Sequence, residues 1–435
     1  MGTFSITSLA FATLLLLVAL RVPLALAMGL VGGAGVALLK GPATFFYVIG
    51  NAPFDVLSNF SLSVLPMFIL MGSFAVRTGL AADLVSFANG FVGHLKGGLA
   101  MAGVFACAIF GAVSGSNLAT LSTMSKITVP EMLRRGYSPK LAAGTLASAS
   151  TLDILIPPSI PMVIYATMTE TSVGRLLVGG IIPGIILTAM FVGAIRIWLY
   201  FDPKIAPTVV APVPFAERVK ALRGIWGVLA VFTVMMTGMY MGYFSPTEAA
   251  AVGAFGVLVV GLLERRLSWN DFVGSVRESV HLSAIIFVIL VGVGLFQFFM
   301  DSVGLKRAIT ELLANSHLPA WGVMSLIVVG LVLLGCVMDA TSILFITTPL
   351  LFPVMTSLGY DGVWFGVIMV MLIQLGLIHP PFGLNVFIMS ALIKEVKIGE
   401  AFWGCVPFVI ANVILIVACM AFPEIILWLP NKMFN

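Results

Sequence analysis

The run Gly111-Ala112-Val113-Ser114-Gly115-Ser116-Asn117, followed by Thr120, Ser122 and Thr123, gathers hydroxyls, an amide and glycine-exposed carbonyls within an apolar stretch. Such groups are hard oxygen ligands for a small cation, and they suit Na⁺ because they bind it without adding a full negative charge. Ser and Gly at these positions also read as ordinary helix-packing residues of a membrane bundle, and the run alone does not decide between the two. Further along, Thr151-Leu152-Asp153-Ile154-Leu155-Ile156-Pro157-Pro158-Ser159 spells a broken helix. Two successive prolines remove two amide donors and free the carbonyls of the preceding turn. In hydrocarbon those carbonyls need a partner, for which a bound cation would serve, although a plain proline kink gives the same sequence.

A second tip, Cys336-Val337-Met338-Asp339-Ala340-Thr341-Ser342, and a second break, Ile378-His379-Pro380-Pro381-Phe382-Gly383-Leu384-Asn385, repeat this arrangement. Asp339 is acidic in an apolar stretch, where a carboxylate must be paired, hydrated or functional. Its alternative role is to cap a helix starting at Ala340. Asp153 and Gln374 lie at comparable depth and raise the same question. Of the four histidines, His94 and His317 read as interfacial residues and His281 as an anchor at the start of a span. His379 alone sits at a break, where its protonation could compete with a cation. No Ser-His-Asp set, His-x-x-x-His or Cys-x-x-Cys pair occurs, so hydrolytic chemistry is not expected. The four cysteines (Cys107, Cys336, Cys405, Cys419) fall in apolar runs and read as reduced, packed thiols.

The elements that must hold these residues come in two copies. Pro130, Met132, Gly136, Tyr137, Pro157 and Pro158 recur as Pro353, Met355, Gly359, Tyr360, Pro380 and Pro381, each 223 residues later (353 − 130, 380 − 157). His94 and His317 share the offset, and Gly180 and Pro183 recur one residue later as Gly404 and Pro407. Duplicated units with prolines inside apolar segments point to a transporter built from two repeats. The 435 residues are 60% hydrophobic and only 9% charged, with a mean hydropathy of +1.14. A soluble protein of this size carries roughly 25% charged residues, so lipid must be the solvent here.

Apolar runs of spanning length lie near 4–20, 24–40, 60–77, 176–200, 224–243, 246–264, 281–300 and 401–429. The first has no basic residues before it and no clear cleavage site, and reads as a retained helix rather than a signal peptide. Two runs, 141–170 and 362–392, are broken by the Pro-Pro pairs; two more, 98–133 and 321–358, are interrupted by small polar residues and read as re-entrant hairpins. With the basic loop of Arg196, Lys204, Arg218, Lys220 and Arg223 on the cytoplasmic side, only Lys40, Arg175, Lys306, Arg307 and Lys432 fall outside, and Lys126 lies within a hairpin. The expected fold is therefore an all-α polytopic membrane protein of two inverted repeats, with about ten full spans, two oppositely opening hairpins, two broken helices and both termini outside. Residues 1–200 and 224–435 form the repeats, 201–223 the linker, and 79–96 and 304–318 are expected as interfacial arms.

Ser114-Gly115-Ser116, Val129-Pro130-Glu131-Met132, Arg135-Gly136-Tyr137 and Ile154-Leu155-Ile156-Pro157-Pro158-Ser159-Ile160-Pro161 resemble the large membrane subunit of the tripartite ATP-independent periplasmic (TRAP) transporters, of the ion-transporter superfamily. The second half agrees through Asp339, Pro353, Gly359-Tyr360, Trp364-Phe365-Gly366 and Pro380-Pro381-x-Gly383-Leu384-Asn385, so the resemblance covers essentially the whole chain. It implies an elevator, in which hairpins and broken helices move against a scaffold. It also implies a small four-span membrane subunit, expected as a separate polypeptide, and a soluble periplasmic substrate-binding protein. The substrates it suggests are organic acids (dicarboxylates, sialic acid and other sugar acids) imported with Na⁺ across the bacterial inner membrane.

By the same resemblance, one sodium site would use Ser114, Ser116, Asp153, Ile156 and Pro158, the last three largely through main-chain oxygens. Asn117 at the same tip is a further candidate ligand. The other site would use Asp339, Thr341 and Ser342 with the break from His379 to Gly383, while Ser159 and Asn385 are the candidate substrate contacts. The family commonly has Gly at Asp153, Thr at His379 and Glu at Gln374, so coupling to H⁺ stays open beside Na⁺. The competing readings are a stand-alone Na⁺/dicarboxylate symporter and a non-transporting scaffold or sensor subunit.

Overall fold

The computed structural model describes residues 3–207, 215–305, 307–308 and 319–434, and no strand occurs among them. The middle of the expected linker (208–214) and most of the second arm, with Lys306 and His317, lie outside the described residues. Seven of the described helices are long and apolar enough to cross a membrane: Phe60–Arg77, Pro139–Thr169 taken through its break, Val173–Phe201, Pro246–Leu263, Trp269–Val303, Ala340–Ser357 and Ile398–Ala421. Shorter apolar helices, among them Leu24–Lys40, Gly98–Ser114, Ala320–Cys336 and Gly362–Gly376, accompany them.

Two bodies of helices are visible in the packing. Trp269–Val303 lies along Leu24–Lys40 and against Val64–Arg77, and Val64–Arg77 in turn packs on Pro246–Leu263. Small residues permit these close crossings: a methyl on Gly32 would meet the Leu295 carbonyl carbon at 2.6 Å, and one on Gly292 the Ala25 carbonyl oxygen at 2.5 Å. Ser279 Oγ donates to the Pro66 carbonyl at 2.9 Å, and Ser73 Oγ and Arg77 Nη2 reach Glu278 Oε2 at 2.8 and 3.2 Å. The second body contains the hairpin Gly98–Ser114/Asn117–Arg134, the segments from 139 to 201 and the C-terminal helices from Ala320 onward. Pro139–Ala149 crosses Ile398–Ala421 where Gly144 faces Gly404, so closely that a methyl on either would collide with the other's backbone. Leu80–Val92, the first expected arm, packs on both Gly98–Ser114 and Phe215–Tyr240, which itself lies on Pro246–Leu263, and the two bodies also meet directly where Val64–Arg77 packs on Gly98–Ser114.

The two halves carry matching backbone marks. Ser116 caps Asn117–Arg134 and Asp339 caps Ala340–Ser357, again 223 residues apart (339 − 116). Ser138 and Asp361 precede Pro139–Ala149 and Gly362–Gly376 at the same offset (361 − 138). Gly136 and Gly359 both take the left-handed conformation (φ 83° and 84°), and the Pro157-Pro158 and Pro380-Pro381 peptides are both cis. At the base of the first hairpin the Leu99 amide donates to Tyr137 Oη at 3.1 Å. Burial pushes that phenol's pKa above its ordinary value.

One helix lies outside every expected run, and two expected runs have different limits. Pro42–Ser58 is a helix that no spanning run announced, because Gly50, Asn51, Pro53 and Asp55 dilute its hydropathy. Pro42 still starts it well, since a first-turn position has no intrahelical amide partner to lose. Run 281–300 begins earlier, at Trp269, where Ser268 and Asp271 form a capping box. Run 401–429 divides at Phe422-Pro423 into Ile398–Ala421 and Glu424–Phe434.

Candidate functional site

The first tip turns at Gly115, whose left-handed φ of 60° closes the helix Gly98–Ser114 and lets the chain reverse. Ser116 then caps the returning helix, its Oγ accepting from the Ala119 amide at 3.5 Å. Ser114 Oγ points the other way and donates to Asp153 Oδ2 at 2.7 Å; Thr120 Oγ1 donates to the same oxygen at 2.5 Å. The two hydroxyls are 2.8 Å apart. Asp153 is wholly buried, and its Oδ1 meets no donor among the described residues. The carboxyl group can approach because the hairpin offers Gly111 there: a methyl would lie 2.8 Å from Asp153 Cα. One carboxylate, with one of its oxygens unclaimed, and two hydroxyls thus meet inside the protein, a donor set that suits a hard cation.

The first break is closed in. Pro157, Pro158 and Ser159 are buried, and Ser159 Oγ donates to the Ile154 carbonyl at 2.5 Å while capping Ile160–Thr169. The Pro158 carbonyl faces Gly115 across the tip, whereas the Leu155 carbonyl faces Gly180 on Val173–Phe201. Ile156 is half-buried and turns toward an apolar cavity of about 630 Å³ with Pro157, Val113 and Thr188.

Asp339 at the second tip is fully engaged. Its Oδ2 accepts from the Thr341 and Ser342 amides, each at 3.1 Å, and its Oδ1 from Ser342 Oγ at 2.6 Å. Of the two roles left open for it, this is the helix cap. The second break is open: Pro380, Pro381 and Phe382 are exposed and His379 is half-buried. His379 Nδ1 sits against the Pro380 carbonyl, with Cys336 Sγ 3.8 Å from the imidazole and 3.6 Å from that carbonyl. Gly383 turns the chain with φ 40° into Leu384–Leu392.

A cavity of about 110 Å³ joins the halves: Ser116 and Asn117 of the first tip face Asp339 and Thr341 of the second, with Ile154 and Leu377 from the two breaks. Asn117 and Asn385 exchange hydrogen bonds, Asn117 Nδ2 to Asn385 Oδ1 at 2.9 Å and Asn385 Nδ2 to Asn117 Oδ1 at 3.0 Å. Asn385 and Ser159 are both wholly buried. Sequence reading gave no site role to the apolar lining (Leu118, Ile160, Pro161, Leu384), although the last three stand in its motifs, and missed the pairing of the two asparagines, which only the tertiary fold creates. Gln374 and Asn412 are also wholly buried, and their amide groups have no hydrogen-bond partner among the described residues. Asp83 on Leu80–Val92 pairs with Arg266, and the carboxylate's hydrogen bond raises the arginine's pKa.

Residues 11–425 match the family described as Tripartite ATP-independent periplasmic transporter, DctM component. The chain belongs to this TRAP transporter family. The C4-dicarboxylate TRAP transporter large permease protein DctM of Pseudomonas aeruginosa is 35% identical over 383 residues, which span 87% of this chain and 88% of that one. The ectoine TRAP transporter large permease protein TeaC of Halomonas elongata is 31% identical over 376 residues, 86% of this chain and 87% of its own. In fold, the crystal structure of the Alcanivorax borkumensis YdaH transporter, titled as having an unusual topology, is similar with a TM-score of 0.62, at 15% identity over 90% of each chain. This TRAP permease is a multi-pass membrane protein, and its relatives are transport permeases rather than enzymes.

Proposed function

We propose that the chain is the substrate-carrying subunit of a Na⁺-coupled importer for an organic acid of the dicarboxylate, sialic acid or sugar-acid class. The observation that carries this reading is the meeting of both tips and both breaks at one small cavity beside the Ser114–Thr120–Asp153 cluster. Na⁺ is cargo here. At the first tip Asp153 Oδ1 and the Ser114 hydroxyl would ligate it, with the Pro158 carbonyl nearby. At the second, the oxygens around Thr341, Ser342 and Gly383 would do so, beside an Asp339 carboxylate already engaged in capping. In this reading the two halves are inverted repeats. The hairpins and broken helices move as an elevator against a scaffold of Leu24–Lys40, Val64–Arg77, Pro246–Leu263 and Trp269–Val303.

The partners of the proposed importer are a small four-span subunit and a periplasmic binding protein, and its place is the bacterial inner membrane with both termini periplasmic. The driving force is adequate. Each charge crossing 100 mV yields about 2.3 kcal/mol, so two Na⁺ with one monoanion would give roughly 50-fold accumulation at about 1.4 kcal/mol per decade. The test is uptake into proteoliposomes that contain this subunit and its small partner, with and without the binding protein and an inward Na⁺ gradient. Uptake that needs both supports the proposal. Uptake without the binding protein points to a stand-alone symporter, and no uptake under any gradient from folded protein overturns transport.

A further inference from the structure

The Asn117–Asn385 pair spans 268 residues and joins parts of the molecule that no other side-chain hydrogen bond given above connects. Asn117 opens the returning helix of the first tip and lines the shared cavity. Asn385 stands just after the second break, where its amide nitrogen closes the break by donating to the Leu377 carbonyl at 3.0 Å. Its side-chain Nδ2 lies 3.1 Å from the Ala147 carbonyl and 3.2 Å from Ser150 Oγ, both on the run leading to Asp153. Asn385 is wholly buried, so a lost partner could not be replaced by bulk water. The pair has no counterpart in the other half: the 223-residue offset carries Asn117 to Ala340 and Asn385 back to Met162 (117 + 223, 385 − 223), and neither can form such a bond. A reciprocal amide pair therefore ties the first tip, the approach to the first break and the second break into one unit on one side only.

We propose that the Asn117–Asn385 pair is a clasp that makes the two half-sites bind cargo together, so that filling one raises the affinity of the other. The proposal rests on the Na⁺-coupled reading above. A hydrogen-bonded link between two breaks that must each arrange free carbonyls carries such coupling, because ordering one side of the clasp fixes the position of the other. Both asparagines are positioning residues in this role.

The test titrates NaCl, with choline chloride holding ionic strength, onto the purified full-length chain and follows its thermal unfolding. The wild type is expected to respond to Na⁺ with a Hill coefficient clearly above about 1. Asn117→Ala and Asn385→Ala should each bring it to about 1 and raise the Na⁺ midpoint about tenfold. The double variant should be no worse than either single one, because both break the same link. Ser150→Ala, which removes a neighbour of Asn385 but leaves the reciprocal pair, should keep the wild-type steepness. If Asn385→Ala fails to fold, Asn117→Ser at the half-buried partner carries the test. Wild-type steepness and midpoint in the clasp variants, or a double variant whose shift is the product of the single shifts, overturns the clasp alone. A wild type that does not distinguish Na⁺ from choline overturns the Na⁺ reading and the clasp with it.

Discussion

The two half-sites are built on one plan and finished differently. Each sets a hairpin arm against a broken helix through a glycine. In the first, Gly111 faces Asp153; in the second, Gly335 faces Gly376, whose Cα would lie 2.9 Å from a methyl on Gly335. Gly376 is the 223-residue equivalent of Asp153 (376 − 153), so a carboxylate in one half is replaced by a hydrogen atom in the other. At the tips the exchange runs the other way: Ser116 corresponds to Asp339. Asp339 spends both its oxygens on capping, whereas Asp153 keeps one oxygen unclaimed in a sealed interior. A carboxylate that ends a helix at a half-buried position is satisfied locally, but one buried without a full set of donors is held at a cost that calls for a ligand. The breaks differ in the same sense, the first buried and the second exposed at Pro380, Pro381 and Phe382. An unclaimed carboxylate oxygen and enclosure therefore coincide in the first half, and a locally satisfied carboxylate and openness in the second.

Removing Asp153 is the strongest way to break this contrast. A cation at Oδ1 would lose a charge-assisted contact worth up to about 3 kcal/mol, or about 100-fold in its Na⁺ midpoint at 1.4 kcal/mol per decade. Asp153→Ala is expected to show that shift in Na⁺-driven uptake. Asp153→Asn keeps an acceptor for the Ser114 and Thr120 hydroxyls, so it should hold stability close to wild type while still losing most of the affinity. If both variants kept the wild-type Na⁺ midpoint, Asp153 would be a structural group and the two halves would be functionally alike.

How much of this was legible beforehand follows from the range of each interaction. Tip turns and breaks are local events, so Gly115, the Pro-Pro pairs and the repeated offset announced them, and Asp339 before Ala340 offered a cap; that Ser116 caps the equivalent helix emerged only from the structure. Asp339 as ligand or cap stayed open because an Asp before Ala-Thr-Ser suits both, and only the distances of 3.1 Å to two amides decide for the cap. Thr120 stood in the tip motif without a stated partner; its bond to Asp153 needs the hairpin folded onto a break 33 residues away. The asparagine pair joins the two halves of the chain across 268 residues, and no periodicity signals such a contact. Pro42–Ser58 escaped because spanning length was read from hydropathy, to which a helix with Asn51 and Asp55 contributes little.

The glycine contacts sharpen the comparison at a smaller scale. Gly376→Ala pushes a methyl into the Gly335 backbone, and Gly111→Ala pushes one against Asp153. Each overpacks a tight crossing and should lower stability by about 1–3 kcal/mol in thermal unfolding. Their effects on cargo should separate: Gly111→Ala displaces the carboxylate and should also raise the Na⁺ midpoint, whereas Gly376→Ala should destabilise with a much smaller change in it. Equal midpoint shifts would mean that the second break contributes to ion affinity as strongly as the first.

The smallest expected effect decides what the second tip does. If Asp339 is chiefly a cap, its truncation costs what a cap costs, about 0.5–2 kcal/mol, and Asn, which caps as well as Asp, should restore nearly all of it. Asp339→Ala should therefore unfold at lower temperature, and Asp339→Asn should match wild type in both unfolding and Na⁺ response, within about twofold in midpoint. Asn also offers a neutral oxygen, so the substitution removes the charge and little else. A wild-type response from Asp339→Asn together with a lost response from Asp153→Asn would locate the charge requirement in the enclosed half. A loss in both would mean that Asp339 exchanges its capping bonds for an ion when cargo binds, and the half that is open here would then be charged in use.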